Sequence, residues 1–535
     1  MPIRLGVLSL ILAGGIATAF LGAPRAAPPA PTTTTLTASS VLVVSGHGWG
    51  HGMGMSQWGA FGYATHGWQT GRILAHYFPG TALGRAATPT IRVQLVREKK
   101  TTLAATAPWS VTDATGKTTA LDPTTPLVLT PELAVGGQSL TAPITFRSTQ
   151  PLSVDGKSYR GRIVVAPAGK ALQVVDVVGL ESYVKGVVPE EMPSNWPAAA
   201  LQAQAIAARS YVLANLVRGG TFDVYDDSRS QIYGGAAAET AAASAAVEAT
   251  RRQILTYDGK PADAMFSSSS GGRTDSAADA IGMTIPYLVS VADPYDTLSP
   301  YHDWGPVLLD VAKVAKALHV PATIDDIQVS SDAGGRVHTA TVLTAEGASA
   351  TFSGARLRAA LGLRSTWFTP SLLQLQQPVR PVTYGGAGSL TGFARGVSGT
   401  VSLESKSAGG DWTAAGDLVI GADGSFSSIV RPQATTIYRL AWGNVRAAQA
   451  RVRVEPLLAV QQSATGIEGT VKPQLEGAAV ELQQQGGATW TTAATTSTDT
   501  SGAWSFAQPA AGTYRVRVAP GHGLVPAVSA TLQVQ

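Results

Sequence analysis

One long helical pattern stands in the middle of the chain, between stretches that alternate as β-strands do. Residues 195–218 place Leu201 and Val212 on a single apolar stripe, and Gly219 follows the last apolar position. We therefore predict the main helix over 195–218. Residues 90–178 carry short β-type runs separated by turn residues, which predicts a β-rich part before that helix.

After residue 375 the pattern changes to a Thr-, Gln- and Gly-rich β alternation that occurs twice. Aromatic residues recur in it at spacings of 76 to 78 residues: Trp412 with Trp490, and Tyr438 with Tyr514. We predict two all-β sandwich domains of the immunoglobulin-like type, residues 378–456 and 457–535. The repeated Trp and Tyr side chains are expected in the sandwich cores.

The first 40 residues have the pattern of an export signal followed by a linker. Arg4 precedes an apolar run from Leu5 to Ile16, and small residues follow that run. A membrane anchor is the alternative, but the run is shorter than the roughly 18 to 20 residues that a span requires. We therefore predict a signal peptide at 1–27, a Pro/Thr-rich linker at 28–40, no stable membrane span after signal cleavage, and a secreted or cell-wall location.

Composition narrows the possible functions. The chain has 535 residues, enough for several domains, and a formal charge of only +4. So small a charge excludes the electrostatic footprint of a nucleic-acid-binding protein. The absence of cysteine excludes disulfides and thiolate metal sites. We expect no nucleic-acid partner and no cofactor.

Two adjacent glutamates are the first candidates for acid–base chemistry. Glu190 and Glu191 lie between Pro189 and Pro193, which predicts a stiff, extended backbone. Adjacent side chains on an extended segment point to opposite sides, so only one carboxylate can face a cleft. Contact with apolar neighbours such as Met192 would raise its pKa and suit it to general-acid catalysis. Two solvent-exposed glutamates before a helix are the alternative.

Polar residues border the apolar stripe of the predicted helix and fill two nearby loops. Gln204 and Tyr211 lie on one flank of the stripe, and Arg209 lies on the other. Such groups could orient a carboxylate or bind a polar ligand, and a structural hydrogen-bond network explains them equally well. Loop segments rich in hydroxyl groups and glycine add four candidates: Gln231, Tyr233, Arg273 and Thr274. No G-x-S-x-G elbow surrounds the serines, so a serine hydrolase is not indicated.

A segment rich in glycine, histidine and aromatic residues, GHGWGHGMGMSQWGA, begins at residue 46. His47 and His51 have a spacing that occurs at metal sites, but the glycines disfavour a helix and no Cys, Asp or Glu lies nearby. We therefore predict no metal site. The glycines let the backbone approach a ligand closely, while Trp49, Gln57 and Trp58 offer stacking faces and amides suited to a carbohydrate.

Together these segments resemble the SpoIID/LytB family, named after stage II sporulation protein D, over about residues 41–370. Several long motifs carry the resemblance: LESYVKGVVPEEMPSNWPAAALQAQAIAARSYVLAN (180–215), SRSQIYGG (228–235), FSSSSGGRT (266–274), IPYLVSVADPYD (285–296), GGRVHTATV through LGLRSTWF (334–368) and the Gly/His segment with the residues that follow it (46–81). The resemblance implies an α+β SpoIID-like catalytic domain over residues 41–372, followed by the two β-sandwich domains.

The resemblance also implies a reaction. Catalytic members are lytic transglycosylases that cleave the N-acetylmuramic acid to N-acetylglucosamine (MurNAc–GlcNAc) linkage of peptidoglycan, preferring strands without peptides, and leave 1,6-anhydro ends. Their essential glutamate directly precedes Met in a P-x-E-M motif, which here is Glu191. Ten residues become candidate substrate contacts: His47, His51, Gln57, Gln204, Arg209, Tyr211, Gln231, Tyr233, Arg273 and Thr274. The family also contains amidase enhancers that are not enzymes. The implied partners are therefore glycan strands and, in that second interpretation, a cell-wall amidase.

The order of the motifs departs from that of the sporulation members. There the GHG-x-GMSQ segment follows the LGLRS-x-x-F stretch, whereas here it precedes the whole domain. We interpret this as a circular permutation that keeps the same spatial neighbours. It predicts that residues 46–81 pack beside residues 266–368. Some relatives carry a zinc site that uses cysteine, which a chain without cysteine cannot copy.

Overall fold

The computed structural model describes residues 38–320 and 323–535. The predicted signal peptide at 1–27 and linker residues 28–37 lie outside the described residues. The rest of that linker, residues 38–40, is the start of a β-strand, Ala38–His47. No helix in the described part of the chain is long and apolar enough to cross a membrane.

The described residues form a mixed, strand-rich structure with few helices and many separate sheets. The α-helices are α1 (Gln57–Thr65), α2 (Thr70–Tyr77), α3 (Leu180–Glu191), α4 (Ala198–Ala214), α5 (Ala241–Ala249), α6 (Ala277–Ile281), α7 (Val311–Leu318) and α8 (Gly354–Leu361). Short 3₁₀ helices cover Gly235–Ala237 and Pro294–Leu298. The immunoglobulin-like type of the β domains is not confirmed.

The largest hydrophobic core joins a seven-stranded sheet to the helices around the predicted active region. In order across the sheet, the strands are Val224–Tyr225, Thr90–Glu98, Ala171–Gly179, Arg162–Ala168, Ile144–Ser148, Trp109–Thr112 and Thr118–Leu121. A four-stranded sheet lies in the same part of the chain: Lys157–Tyr159, Leu152–Val154, Thr101–Ala104 and Leu127–Leu129. Val174 of the sheet, Val187 of α3 and Ile206 of α4 are completely buried in this core. One core thus holds together the sheet, α3, which ends at Glu191, and α4, which follows it.

Three short pairings complete this part. Ala82–Arg85, Gln253–Tyr257 and Lys260–Pro261 form a small antiparallel sheet, and Ala134–Val135 pairs with Gln138–Ser139. Met55–Ser56 pairs in parallel with Phe266–Ser267.

The helix α3 continues through Glu191, so the prediction of an extended backbone between the two prolines is wrong. Pro189 lies inside the last turn, and the backbone N–H of Met192 still donates to the carbonyl of Val188 at 3.0 Å. Pro193 ends the helix because it forces the preceding residue into the extended region, where Met192 has φ −134° and ψ 140°. The predicted helix over 195–218 is shorter, Ala198–Ala214.

One five-stranded sheet separates two further cores. Its order is Asp303–Asp310, Ala38–His47, Phe368–Gln376, Gly388–Arg395 and Ser425–Val430. Side chains alternate across a strand, so Leu42 and Val44 enter one core while Val43 enters the other. The strand Phe368–Gln376 divides its side chains in the same way, with Leu372 in the first core and Leu373 in the second.

The first of these cores is closed by a three-stranded sheet, Ile324–Ser331, Val337–Thr344 and Ser349–Ser353, together with α7 and α8. The second is closed by a four-stranded sheet, Thr413–Asp417, Val401–Ser407, Thr436–Trp442 and Val445–Val452. Val382–Thr383 pairs in parallel with Val454–Glu455. The core of the first C-terminal repeat therefore takes Val43 and Leu373 from outside the predicted boundary of 378–456.

The second repeat has a core of its own. One sheet contains Leu457–Ser463, Gly466–Lys472 and Ala503–Ala507, and the other contains Thr489–Ser497, Ala479–Gly486, Gly512–Ala519, Ala527–Val528 and Leu532–Val534. Tyr438 and Tyr514 are buried in the two repeat cores, as expected. The expectation for Trp412 and Trp490 is wrong, because each indole lies outside the core with an arginine over its ring.

Residues 46–81 pack beside residues 266–368, as the permutation hypothesis requires. Trp49 and Ser269 exchange backbone hydrogen bonds of 2.9 and 3.0 Å, and the backbone N–H of His47 donates to the carbonyl of Trp367 at 2.9 Å. Gly48 has φ +74°, and a Cβ there would lie 2.7 Å from the carbonyl oxygen of Ser269. Only glycine accommodates both that backbone conformation and that close approach.

Candidate functional site

Glu191 lies at the last position of α3, and its carboxylate is held by two donors. The side-chain Nε2 of Gln57 donates to Glu191 Oε2 at 3.0 Å, and the backbone N–H of Ile232 donates to the same carboxylate. Burial raises the pKa of Glu191, the two hydrogen bonds oppose that rise, and the charge of Glu190 adds to it. The net effect is a raised pKa, which favours a protonated carboxyl.

Glu190 has a different environment from its neighbour. Its side chain is exposed, and its Oε1 lies over Gly234, where an added Cβ would be only 2.4 Å away. Successive helical residues point about 100° apart, so the two carboxylates separate although the backbone is helical. The carboxyls of Glu190 and Glu191 therefore differ in their environment, and the desolvated one is that of Glu191.

Gln57 can reach Glu191 because hydrogen bonds of Ser56 hold the first turn of α1 in place. Ser56 is the N-cap of α1, and its hydroxyl accepts from the backbone N–H of Gly59 at 3.0 Å. The same hydroxyl donates to Asp296 Oδ1 at 2.9 Å. Gln57 is itself buried. A residue 134 positions away in sequence is thus positioned to hold the carboxylate.

Asp293 and Asp296 form a buried acidic pair to which the hydroxyl-rich loop is bonded. Ser269 donates to Asp296 Oδ2 at 2.8 Å, and Ser270 donates to Asp293 Oδ2 at 2.7 Å. The hydroxyl of Tyr77 also donates to Asp293, at 2.9 Å. Burial and the neighbouring Asp296 raise the pKa of Asp293. These serines therefore act as structural hydrogen-bond donors.

Three predicted substrate contacts turn out to face buried protein partners. Arg209 is fully buried, and its Nη2 lies 2.9 Å from Glu181 Oε2. The hydroxyl of Tyr233 donates to Asp176 Oδ2 at 2.8 Å. Gln231 accepts from the hydroxyl of Tyr183 at 3.1 Å. We correct their assignment: their polar atoms are committed to the framework that carries Glu191, and they are not placed to touch a substrate.

Gln204 and Tyr211 lie on α4 with different surroundings. Gln204 is completely buried, and within the described residues neither atom of its amide has a hydrogen-bond partner. Tyr211 is half-buried, and burial together with the charges of Asp263 and Glu191 raises its pKa. Tyr211 therefore lies close enough to Glu191 for the charge of Glu191 to affect the pKa of Tyr211.

Arg273 and Thr274, which follow the four serines at 267–270, differ from each other in their surroundings. Arg273 is exposed, with a long contact of 3.5 Å from Nη1 to Ser290 Oγ. Thr274 is buried, and its hydroxyl oxygen accepts from the backbone N–H of Val291 at 2.8 Å. Of the two, Arg273 keeps a side chain free to meet a ligand, while Thr274 joins two loops.

The two histidines of the Gly/His segment have separate partners. His47 Nδ1 pairs with Asp303 Oδ1 at 2.6 Å, and His51 Nδ1 accepts from the backbone N–H of Met53 at 3.0 Å. Burial and the nearby arginines Arg358 and Arg336 lower the pKa of His51 to about 4. The imidazole of His51 is therefore neutral near pH 7.

One cluster of potential metal ligands occurs in the described ranges, and it contains neither histidine. Its carboxylates, from Asp275, Asp279 and Asp332, approach one another within 4.8 Å. The Nε of Arg336 lies 3.7 Å from Asp275, so the cluster already has a cation beside it.

Comparison with known proteins gives matches to parts of the chain. Residues 168–257 match the family model SpoIID, described as Stage II sporulation protein. Stage II sporulation protein D of Bacillus subtilis is 35% identical over 182 residues, which is 31% of this chain and 53% of the relative. An Amidase enhancer of Bacillus subtilis is 35% identical over 156 residues, 29% of this chain and 21% of the relative.

An uncharacterized protein of Brachyspira hyodysenteriae is 37% identical over 151 residues, 28% of this chain and 41% of the relative. This chain thus spans about a fifth to a half of the length of these curated relatives. A solved tetra-tandem repeat from the extending region of a large adhesion protein is 9% identical, covering 84% of this chain and 100% of that chain with a TM-score of 0.17. A likeness that weak carries no argument about fold.

Proposed function

We infer that the chain is a member of the SpoIID/LytB family, whose model its residues 168–257 match and whose named members it resembles, and from this premise we propose that it is an exported lytic transglycosylase of peptidoglycan. Its substrate is the MurNAc–GlcNAc linkage of glycan strands that have lost their peptides, and its product is a 1,6-anhydromuramic end. The observation that supports this is the state of Glu191, a desolvated carboxyl with a raised pKa that Gln57 holds in place.

The first step of the proposed reaction needs a protonated acid. Because burial raises its pKa, the Glu191 carboxyl retains its proton at a pH where an exposed glutamate is ionised. It donates that proton to the glycosidic oxygen as the bond from that oxygen to C1 of the muramic ring breaks. Glu191 is then a carboxylate, and the donated Gln57 hydrogen bond stabilises the negative charge.

The second step uses a nucleophile that the substrate supplies. The C6 hydroxyl of the muramic residue is tethered to the reacting ring, so its attack on C1 has the high effective concentration of an intramolecular reaction. Glu191 takes the hydroxyl proton as the new C6–O–C1 bond forms, which returns the carboxyl to its starting state. Glycosidases that use water need a second carboxylate, whereas this reaction needs only one. The orientation of Glu190 toward Gly234 agrees with a single acid.

The site residues divide into two groups in this proposal. Tyr211 and Arg273, which keep exposed or half-exposed side chains, are the proposed substrate contacts. Gln57 positions the carboxylate. The ion pair of Arg209 with Glu181 joins α4, which carries Tyr211, to α3, which carries Glu191. The hydrogen bond of Tyr233 to Asp176 joins the loop after α4 to the seven-stranded sheet.

A second candidate function is favoured by one specific observation, the match to a relative named Amidase enhancer. In that case the chain binds glycan and stimulates a cell-wall amidase, and Glu191 contacts the ligand without catalysis. Incubation of the purified protein with denuded glycan strands, followed by mass spectrometry of the ends, distinguishes the two. Anhydro ends support the transglycosylase. Strand binding without anhydro ends, together with faster release of peptides from intact, peptide-bearing peptidoglycan by an added amidase, supports the enhancer.

A further inference from the structure

Two aromatic side chains of α1 face away from the hydrophobic core. The core-facing positions of this helix are Gln57, Gly59, Ala60, Gly62 and Tyr63. Trp58 and Phe61 are three residues apart, a spacing that puts them on one face of a helix, and both are half-exposed. Neither contributes to the core clusters of the described residues. Core packing therefore does not explain why large aromatic residues occupy this face.

A third ring joins them from the loop that follows Glu191. The ring centroid of Trp196 lies 4.8 Å from that of Trp58 and 4.8 Å from that of Phe61. The rings of Trp58 and Phe61 are 5.5 Å apart. We call this group of three side chains the aromatic platform. Trp196 is held in place by a turn in which its backbone N–H donates to the carbonyl of Pro193 at 3.1 Å.

The aromatic platform adjoins the candidate acid through both of its chain segments. Gln57, which donates to the Glu191 carboxylate, immediately precedes Trp58. Trp196 follows Glu191 by five residues, so their Cα atoms are at most about 18 Å apart even for an extended chain. The platform is therefore attached to the two chain segments that carry Gln57 and Glu191.

We propose that the aromatic platform binds a sugar ring of the glycan strand, and this inference rests on the proposed function of the adjoining site. The apolar face of a pyranose ring is complementary to an indole face, and indole N–H groups can donate to the polar edge of the sugar. The occupant is thus an N-acetylhexosamine ring next to the linkage at Glu191. Stacking there fixes the register of the strand relative to the acid, which a transglycosylase requires.

The exposed size of the platform favours a sugar over a protein partner. A stable protein interface buries about 800 Å² on each side. Three aromatic side chains of about 150 to 250 Å² each, already half-buried against one another, expose much less than that. So small an exposed apolar area is insufficient for a stable protein interface.

The test measures binding of a soluble probe, the β-1,4-linked hexamer of N-acetylglucosamine, to the full chain. We expect Trp58→Ala and Trp196→Ala each to weaken the dissociation constant about tenfold, which corresponds to ~1.4 kcal/mol, and Trp58→Phe to retain most of the affinity. The matched control is Trp412→Ala, since Trp412 is also a half-exposed indole but belongs to the first C-terminal repeat. The control should bind as the wild type does.

Two results would refute sugar binding by the aromatic platform. One is a wild-type protein that does not bind the hexamer, and the other is wild-type affinity in the Trp58→Ala and Trp196→Ala variants. If the alanine variants do not fold, the indole N–H signals of Trp58 and Trp196 in the wild type serve instead. Shifts of both on titration with the hexamer support the platform, and unmoved signals contradict it. If hexamer binding depends on the aromatic platform but denuded strands give no anhydro ends, the proposed transglycosylase activity is refuted while sugar binding by the platform is supported.

Discussion

Gln57→Ala removes the side-chain amide that donates to Glu191, and we expect the alkaline limb of the pH–rate profile to move to higher pH. The hydrogen bond of 3.0 Å stabilises the ionised carboxylate and so lowers the pKa of Glu191. Without it, burial and the charge of Glu190, which both raise the pKa, are opposed by the hydrogen bond from the backbone of Ile232 alone. The general acid then keeps its proton to a higher pH.

The size of the effect follows from the net value of one such hydrogen bond. A hydrogen bond to a charged group contributes about 1.5–3 kcal/mol, and water that replaces the amide recovers part of it. A net loss of ~1.4 kcal/mol corresponds to a displacement of the limb by about 1 pH unit. The maximal rate should fall as well, because the carboxyl loses the group that orients it.

The assay is the pH dependence of kcat/KM on denuded glycan strands, supported by carbon NMR titration of the Glu191 carboxyl, which does not require turnover. Gln202→Ala is the matched control, since it removes a glutamine amide whose oxygen accepts from the hydroxyl of Thr70 at 2.8 Å. An unchanged limb in Gln57→Ala, or a limb at lower pH, would refute the assignment of Gln57 as a positioning residue.

Three further predictions concern the framework. Arg209→Met leaves Glu181 buried without its ion-pair partner and should lower the free energy of unfolding in urea by about 3–5 kcal/mol. A variant with wild-type stability that has lost glycan binding would argue instead that Arg209 contacts the ligand. Burial raises the pKa of Asp176 to about 7, so the contribution of its protonated carboxyl to stability is complete below pH ~4 and is lost as the pH rises to about 7. Asp176→Asn should therefore flatten the decline with pH of the free energy of unfolding in urea over that range. An unchanged decline would contradict this. The second repeat has a core of its own, but its deletion (457–535) also breaks backbone hydrogen bonds to Thr435 and Val454, so we expect a small decrease in the calorimetric melting temperature of the rest. Deletion of 378–535 exposes Leu373 and should lower that temperature further. Equal melting temperatures of the two truncated proteins would contradict the shared sheet.

The sequence predicts well what depends on local pattern. The apolar stripe around Leu201 and Val212 identifies α4, and only its ends differ, since residues 193–196 form a turn and α4 ends at Ala214. The motif resemblance selects Glu191 over Glu190, and the desolvation of Glu191 supports the same choice. The prediction fails at Pro189, because burial of Val184 and Val188 keeps the helix intact through a residue that disfavours helices.

What the sequence cannot predict depends on contacts between distant segments. Spacing gives no sign that Gln57 meets Glu191, or that the serine run bonds to Asp296. Arg209 has the sequence pattern of a possible ligand contact, because a polar residue beside an apolar stripe has the same pattern whether it pairs with Glu181 or with a ligand. The sequence predicts one member of the aromatic platform, since Trp58 offers a stacking face for a carbohydrate, but it does not show that Phe61 and Trp196 lie against that ring.

The domain limits illustrate the same difference. The change of composition after residue 375 predicts the first repeat at 378–456, yet the core of that repeat also contains Val43 from the N-terminal strand Ala38–His47. A strand whose two faces serve two cores has no clear polar side, and its pattern resembles an ordinary buried strand. Its position became evident only from its pairing with Phe368–Gln376.

The central claim is that Glu191 is the single acid and base of glycan cleavage. Its most direct test is the rate at which the wild type and Glu191→Gln release anhydro-ended products from denuded peptidoglycan, measured by mass spectrometry at equal strand binding. Glutamine keeps the shape of the side chain and cannot transfer the proton, so we expect a rate lowered by a factor of at least about 100 with binding retained. Anhydro ends released by Glu191→Gln at the wild-type rate would contradict the account.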